Sequence, residues 1–273
     1  RDYKVTGVQT CALPISAGRG KEPRKVGLAW VDLSSGRLWV GAVEEHEAGE
    51  ELARLEPTEC LLPEGFPFPD QWRLSVRTPT LTPRPAYAFA ADNACDLLHR
   101  HFGVKTFGGF GVDDDSPGLG AAGALLAYLF ETQRTDLKHV SRLIPFVRGG
   151  GMVLDPVTRR SLELTRTLRE NRREGTLLDA VDRTTTAAGA RLLAEWLGRP
   201  LLDVGGIRAR QAAIQEWKED PSSRRELREL LRETYDVERL ASRVSTGRTH
   251  PRDLASLRET LRGLPAKIGR AHV

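Results

Sequence analysis

The chain has 273 residues, 40% hydrophobic and 29% charged, enough apolar mass for two ordinary domains without metals or disulfides to support them. Three cysteines, Cys11, Cys60 and Cys95, show no paired spacing, which argues against a zinc site or a disulfide framework and for a reducing, cytoplasmic setting. The formal net charge is +4, with 17 basic and 19 acidic residues before residue 151 and 24 and 18 after it; no apolar run reaches the roughly 20 residues that would cross a bilayer, so no membrane partner is expected.

In chain order, residues 1–16 and 267–273 join neither neighbouring pattern and read like translated sequencing adapter. A leader over 1–23 and a tail over 267–273 are therefore expected to stand outside the fold. From Val26, "VGLAWVDL" and "RLWVGAV" are β-rich segments joined through Ser34, Ser35 and Gly36, which predicts a hairpin. "AGEELARLE" predicts a short helix with Leu52 and Leu55 on one side, ended by Pro57 before a strand at "ECLLP". "WRLSVRT" is a further strand candidate ahead of a Pro-rich connection. "AYAFAADNACDLLHRHFG", closed by Gly103, and the Ala/Leu-rich "LGAAGALLAYLFETQ" predict two helices. Strands with covering helices make residues 24–133 a mixed α/β layer domain.

Residues 134–266 read as an irregular helical domain after the connection "RTDLKHVSRLIPFVRGGG". "LDPVTRRSLELTRTLREN" opens with Asp155 as N-cap and Pro156 at the first helical position, and Val157, Leu162, Leu164 and Leu168 are expected to form its buried stripe. Six more helical stretches follow to "PRDLASLRETLRGL" with no fixed period between them. The run "DRTTTAAGARLLAEWLGRPLLD" reads as one of these: a threonine among 184–186 caps it, Leu192, Leu193, Trp196 and Leu197 form a wide apolar face, and Gly198 and Pro200 end it. A threonine nucleophile would need an adjacent base, and the sequence offers none nearby.

Candidate chemistry is sparse. The Gly-x-x-x-x-Gly-Lys-Ser/Thr loop that cradles nucleotide phosphates is absent; "FGGFG" at 107–111 and "RGGG" at 148–151 lack the lysine and hydroxyl. Cys95 and His99 share a helical face, but His101 lies well round the cylinder, so a metal site is not expected. Asp32 with Asp113, Asp114 or Asp115 could in principle assemble a two-metal, magnesium-dependent nuclease centre. The competing reading gives all four aspartates to turns, since Asp32 precedes Ser34-Ser35-Gly36 and the other three precede Ser116-Pro117-Gly118. The late basicity is compatible with nucleic acid, although interleaved runs such as "SSRRELRELLRE" also describe solvated helix faces.

"MVLDPVTRRSLELTRTLR", "GTLLDAVDRTTTAAGARLLAEWLGRPLLD", "IRARQAAI" and "YDVERLASRVSTGRTHPRDLASLRETLRGLP" together resemble the core domain of the MutS family of DNA mismatch repair proteins. "VGLAWVDLSSGRLWV", "ELARLEPTECLLPE", "HFGVKTFGGFG" and "AAGALLAYLFETQ" resemble the family's connector domain. The resemblance departs at Ser161, where asparagine is common, and at "RQAAI". It implies a ribonuclease-H-like mixed α/β connector over 24–133, then an irregular helical core over 134–266 that includes the start of a lever helix. It further implies a fragment that links an ATPase to a DNA clamp, both outside this chain, with no catalytic, cofactor-binding or metal residue of its own. ATP and magnesium are implied for the parent protein, as are mismatched double-stranded DNA, a MutL-like partner at the connector, and a homodimer.

Overall fold

The computed structural model describes residues 10–12, 24–72, 79–133, 136–146, 148–149, 151–245, 247 and 249–271. The chain divides into two compact units after Arg148.

In the first unit β1 (Thr10–Ala12), β2 (Lys25–Asp32), β3 (Arg37–Glu44), β4 (Glu59–Pro63), β5 (Thr80–Arg84) and β6 (Arg142–Phe146) form one sheet, in the order β5-β4-β1-β2-β3-β6. β2 runs antiparallel to β1 and β3, while β4 pairs in parallel with β1 and β5, and β6 with β3. The sheet buries both faces. Val26, Leu28 and Trp30 pack into one cluster, with Leu52 and Leu55 of α1 (Ala48–Leu55) and Trp72. Ala29 and Val31 join the other, with Leu98 of α2 (Ala91–Phe102) and Leu125 and Leu126 of α3 (Pro117–Gln133). The split follows from the two-residue period of a strand. α3 lies so close to β2 that a Cβ at Gly27 would sit 2.2 Å from the Pro117 carbonyl oxygen.

The predicted hairpin, α1, the "ECLLP" strand and the two later helices are present, and the mixed α/β class holds. Several boundaries differ. β1 contradicts a leader wholly outside the fold: Thr10–Ala12 lies between β4 and β2, with Cys11 and Ala12 fully buried. Three residues are too few to show an alternation. β6 contradicts a helical domain beginning at residue 134, because Arg142–Phe146 completes the sheet and moves the boundary to Arg148. β5 and β6 both contain a proline, Pro83 and Pro145, which reads as loop in sequence. Both are the outermost strands, where a missing N–H is tolerated. α1 ends on Glu56 in the left-handed region, φ 45°, before Pro57 is reached. The helix expected from Ala86 begins as a 3₁₀ turn over Ala86–Phe89, and extended Ala90 precedes α2. The "WRLSVRT" strand falls, apart from Trp72, outside the described residues.

The second unit is helical: α4 (Pro156–Ser161), α5 (Leu177–Val181), α6 (Ala187–Gly198), α7 (Val204–Glu219), α8 (Pro221–Arg232), α9 (Val237–Ser245) and α10 (Pro251–Ala271). Side-chain oxygens cap α4 to α9, Asp236 accepting from Arg239 N at 3.4 Å at the start of α9. Asp155, Thr176, Thr186, Asp203 and Asp220 each accept from first-turn N–H groups of α4 to α8, satisfying donors that the helix cannot pair internally.

The helix expected over 154–171 stops at Ser161. Glu163 turns left-handed, its carboxylate accepts from Leu168 N, and Asn171 is left-handed as well; local side-chain bonds to the backbone displace the helical ladder. Of the expected stripe only Leu164 is buried, while Val157, Leu162 and Leu168 are exposed. The backbone of α10 runs to Ala271, through much of the stretch expected as a detached tail. Among the described residues, every exposed large apolar residue except Tyr87 lies in this second unit.

Candidate functional site

The acidic residues singled out in the sequence are engaged in turns. The Asp32 carboxylate accepts from Ser34 N at 2.9 Å, Ser34 Oγ at 2.6 Å and Ser35 Oγ at 2.9 Å, and its carbonyl accepts from Ser35 N and Gly36 N. That closes the β2–β3 hairpin, with Gly36 at φ 68°. Asp114 accepts from Phe107 N at 2.7 Å and Asp113 from Asp115 N at 3.2 Å. Among the described residues no group of three His, Cys, Asp or Glu side chains is placed to hold a metal ion.

Cys95, His99 and His101 do not converge. His99 stacks on Phe107 at 4.5 Å between ring centres, and His101 Nε2 donates to the Val140 carbonyl at 2.7 Å. Burial, then the Asp114 carboxylate, pushes the Cys95 thiol above its usual range, which disfavours the thiolate a metal would need. In the threonine run, Thr186 caps α6 through Gly189 N at 3.0 Å, and Thr184 binds the Asp182 carboxylate through Oγ1 at 2.7 Å and N at 2.9 Å. These threonines start a helix. The apolar face of α6 is present but partly open, with Leu192 and Trp196 exposed, and Arg210 of α7 lies 3.7 Å over the Trp196 ring.

The second unit instead contains a hydrogen-bonded junction between helices. The turn between α8 and α9, at Tyr235 and Asp236, is held from two sides. From α6, Arg191 donates to both Asp236 carboxylate oxygens, at 2.5 and 3.0 Å, and to Glu238 at 2.9 Å. From α10, Thr260 Oγ1 accepts from Tyr235 N at 3.1 Å while donating to Ser256 O at 2.9 Å. Thr260 is fully buried. Burial opposes ionisation of Asp236, but the Arg191 hydrogen bonds and charge, with Arg239, outweigh it and hold the carboxyl below its ordinary range. A second tie joins α9 to α10, Arg243 to Asp253 at 2.9 Å. Helices linked by directional bonds move as bodies more readily than they bend, because packed interiors resist continuous deformation. Sequence reading missed Arg191, Asp236 and Thr260. They are ordinary helix-surface residues by pattern, and their partners lie 45 and 25 positions away.

In the first unit, Leu97, Phe102 and Phe130 line a cavity of about 430 Å³, together with Arg100, Lys138 and Asp136. Its apolar side chains and net positive rim suit an apolar group accompanied by negative charge.

Comparison with known proteins follows the same two-part division. A family model described as MutS domain II matches residues 10–141, and one described as MutS domain III matches residues 157–272. The DNA mismatch repair protein MutS of Symbiobacterium thermophilum is 44% identical over 255 residues, covering 88% of this chain and 28% of that protein. Those of Rhodopirellula baltica and Salinibacter ruber are 43% and 36% identical, covering 88% and 92% of this chain. The chain thus spans a little over a quarter of the length of these relatives, 27 to 28%. With two consecutive domains matched and the α/β and helical units arranged to fit them, the chain belongs to the MutS family of DNA mismatch repair proteins.

Proposed function

We propose that this chain is the connector and core portion of a longer mismatch repair ATPase, and that it relays nucleotide-dependent movement between an ATPase and a DNA clamp without performing chemistry itself. The doubly held turn at Tyr235 and Asp236 carries the reading, because it makes a displacement of α10 felt at α6. The open apolar side chains of the second unit, among them Ile214, Val244, Leu254 and Leu261, support it: a surface of this kind is built to be covered by further polypeptide. ATP and magnesium belong to the parent, since no residue run here fits a nucleotide's phosphates. Mismatched DNA and a second copy of the parent are its partners, and the connector domain receives a MutL-like protein.

The test is made in the full-length parent. Replacing Thr260 by Val and Arg191 by Met together should leave hydrolysis of ATP without DNA unchanged and reduce its stimulation by mismatched DNA at least severalfold. Unchanged stimulation, or equal loss of both rates, overturns the relay.

A further inference from the structure

The chain leaves its first unit after Arg148, and on either side of that point it is tied down by contacts that lie within one unit. Phe146, the last residue of β6, packs edge-on against Trp30 at 5.0 Å in the first unit's core. Two positions on, the Arg148 guanidinium is held by three groups at the start of α1. Nε pairs with one Glu47 carboxylate oxygen at 3.3 Å, Nη1 donates to the Glu47 carbonyl at 3.3 Å, and Nη2 donates to the Glu50 carboxylate. Glu47 is itself fixed, because its other carboxylate oxygen accepts from Glu44 N at 3.1 Å. In the second unit the next tie is at Gly151 and Met152. Met152 N donates to Pro200 O at 2.6 Å, and a Cβ on Gly151 would lie 2.9 Å from the same oxygen and 2.6 Å from Arg199 Cγ. Between the two ties stand Gly149 and Gly150. Gly149 has φ 115°, and among the described residues nothing beyond its chain neighbours lies within 4 Å of the place a Cβ would take.

We infer that Arg148 is a positioning residue that confines the pivot between the two units to Gly149 and Gly150. Turning about a joint needs a few residues able to absorb large changes in φ and ψ, and glycine does so with the fewest steric limits. A guanidinium shared among two carboxylates and a carbonyl, with its side chain 16% exposed, holds its end of the joint better than a single exposed pair would. The far tie is on Pro200, just past α6, and α6 carries the Arg191 that grips the turn at Asp236. A short pivot ending there delivers a displacement of the first unit to α6, where a long slack segment would absorb it. The inference rests on the proposed relay for its purpose, and it adds where the first unit is joined to that relay.

Double electron–electron resonance on the 273-residue chain tests it, with one nitroxide on Cys95 and the other on Gln211→Cys, an exposed position of α7. Cys11 and Cys60 are fully buried and stay unlabelled. In the combined Glu47→Gln, Glu50→Gln variant Arg148 loses both carboxylates, and the stretch free to turn grows from two residues to four, 147–150. The distribution of distances between the labels should widen about 1.4-fold, since the reach of a flexible segment grows with the square root of its length. Trypsin should cut after Arg148 about fivefold faster, because the arginine must leave its partners to enter the protease. Gly149→Ala gives the opposite perturbation: its Cβ has room but an L residue rarely adopts φ 115°, so the mean distance should shift without widening. Thermal midpoints of both variants should stay within about 4 °C of the unaltered chain. An unchanged width in the double variant overturns the assignment, and a lowered midpoint beside it would leave Arg148 a merely stabilising contact. No gain in cleavage after Arg148, or an unmoved mean in Gly149→Ala, overturns it as well. No nucleotide or DNA enters these measurements, so the pivot and the relay, whose test is hydrolysis in the parent, can fail separately.

Discussion

Thr260 Oγ1 takes the Tyr235 N–H at 3.1 Å, from a side chain with no solvent exposure. This one hydroxyl is what couples α10 to the turn ahead of α9. Thr260→Val keeps the shape and strands a backbone donor, which costs about 1 to 3 kcal/mol; Thr260→Ser should restore most of it. Urea unfolding of the three proteins reads the difference, and a Thr260→Val chain as stable as the original would remove the bond from the account.

Arg191 and Asp236 should show thermodynamic coupling. Their side chains are 15% and 14% exposed, so the full cost of breaking a buried pair is discounted for solvent access, leaving about 2 kcal/mol for Arg191→Met. A double-mutant cycle with Asp236→Asn should return a coupling energy of about 1 kcal/mol or more. The pH dependence has a definite sign. Because the folded carboxyl lies below its ordinary value, its stabilisation is complete above the unfolded pKa of about 4 and is lost as pH falls through the folded value. Acid titration of stability should therefore be less steep below about pH 4 in Asp236→Asn.

At the sheet, Gly27→Ala should be costly. Its new Cβ would meet the Pro117 backbone oxygen at 2.2 Å, a contact that no side-chain rotation relieves, and overpacking of this kind costs about 1 to 3 kcal/mol. A thermal melt of Gly27→Ala coincident with the original would contradict the close approach of α3 to β2.

The thiols should react in two classes. Burial first, then the hydrogen bond and charge of Cys11, raises the Cys60 thiol well above its usual range, and both side chains are fully buried. Cys95 is only partly covered. A disulfide reagent added to the folded protein should modify Cys95 first, with Cys11 and Cys60 following only on unfolding. Simultaneous modification of all three would show that β1 and β4 do not shield their cysteines.

Tyr128 offers a spectroscopic check on the β4–α3 contact. Burial, then its hydrogen bond to Glu59, raises its hydroxyl to about 12. The contact stabilises the fold below the unfolded tyrosine value of about 10 and is lost as pH rises through about 12. Ultraviolet titration of the original chain against Tyr128→Phe should show one tyrosine ionising late; a normal midpoint for all would count against the contact.

Sequence alone determined the punctuation of this protein. Asp155 and Thr186 cap helices, Asp32 closes a hairpin and Gly103 ends α2 because each acts on backbone within a few residues of itself. The change from alternating to helical texture likewise marked two domains of the right class, and motif order along the chain marked the family. Tertiary structure alone decided the rest. β5 and β6 became strands through the edge positions that tolerate Pro83 and Pro145, and three residues of β1 became central by pairing on both sides. The Arg191–Asp236 and Thr260–Tyr235 ties join positions tens of residues apart, and no local periodicity encodes which distant partner a helix-surface side chain will meet once the chain has folded back on itself.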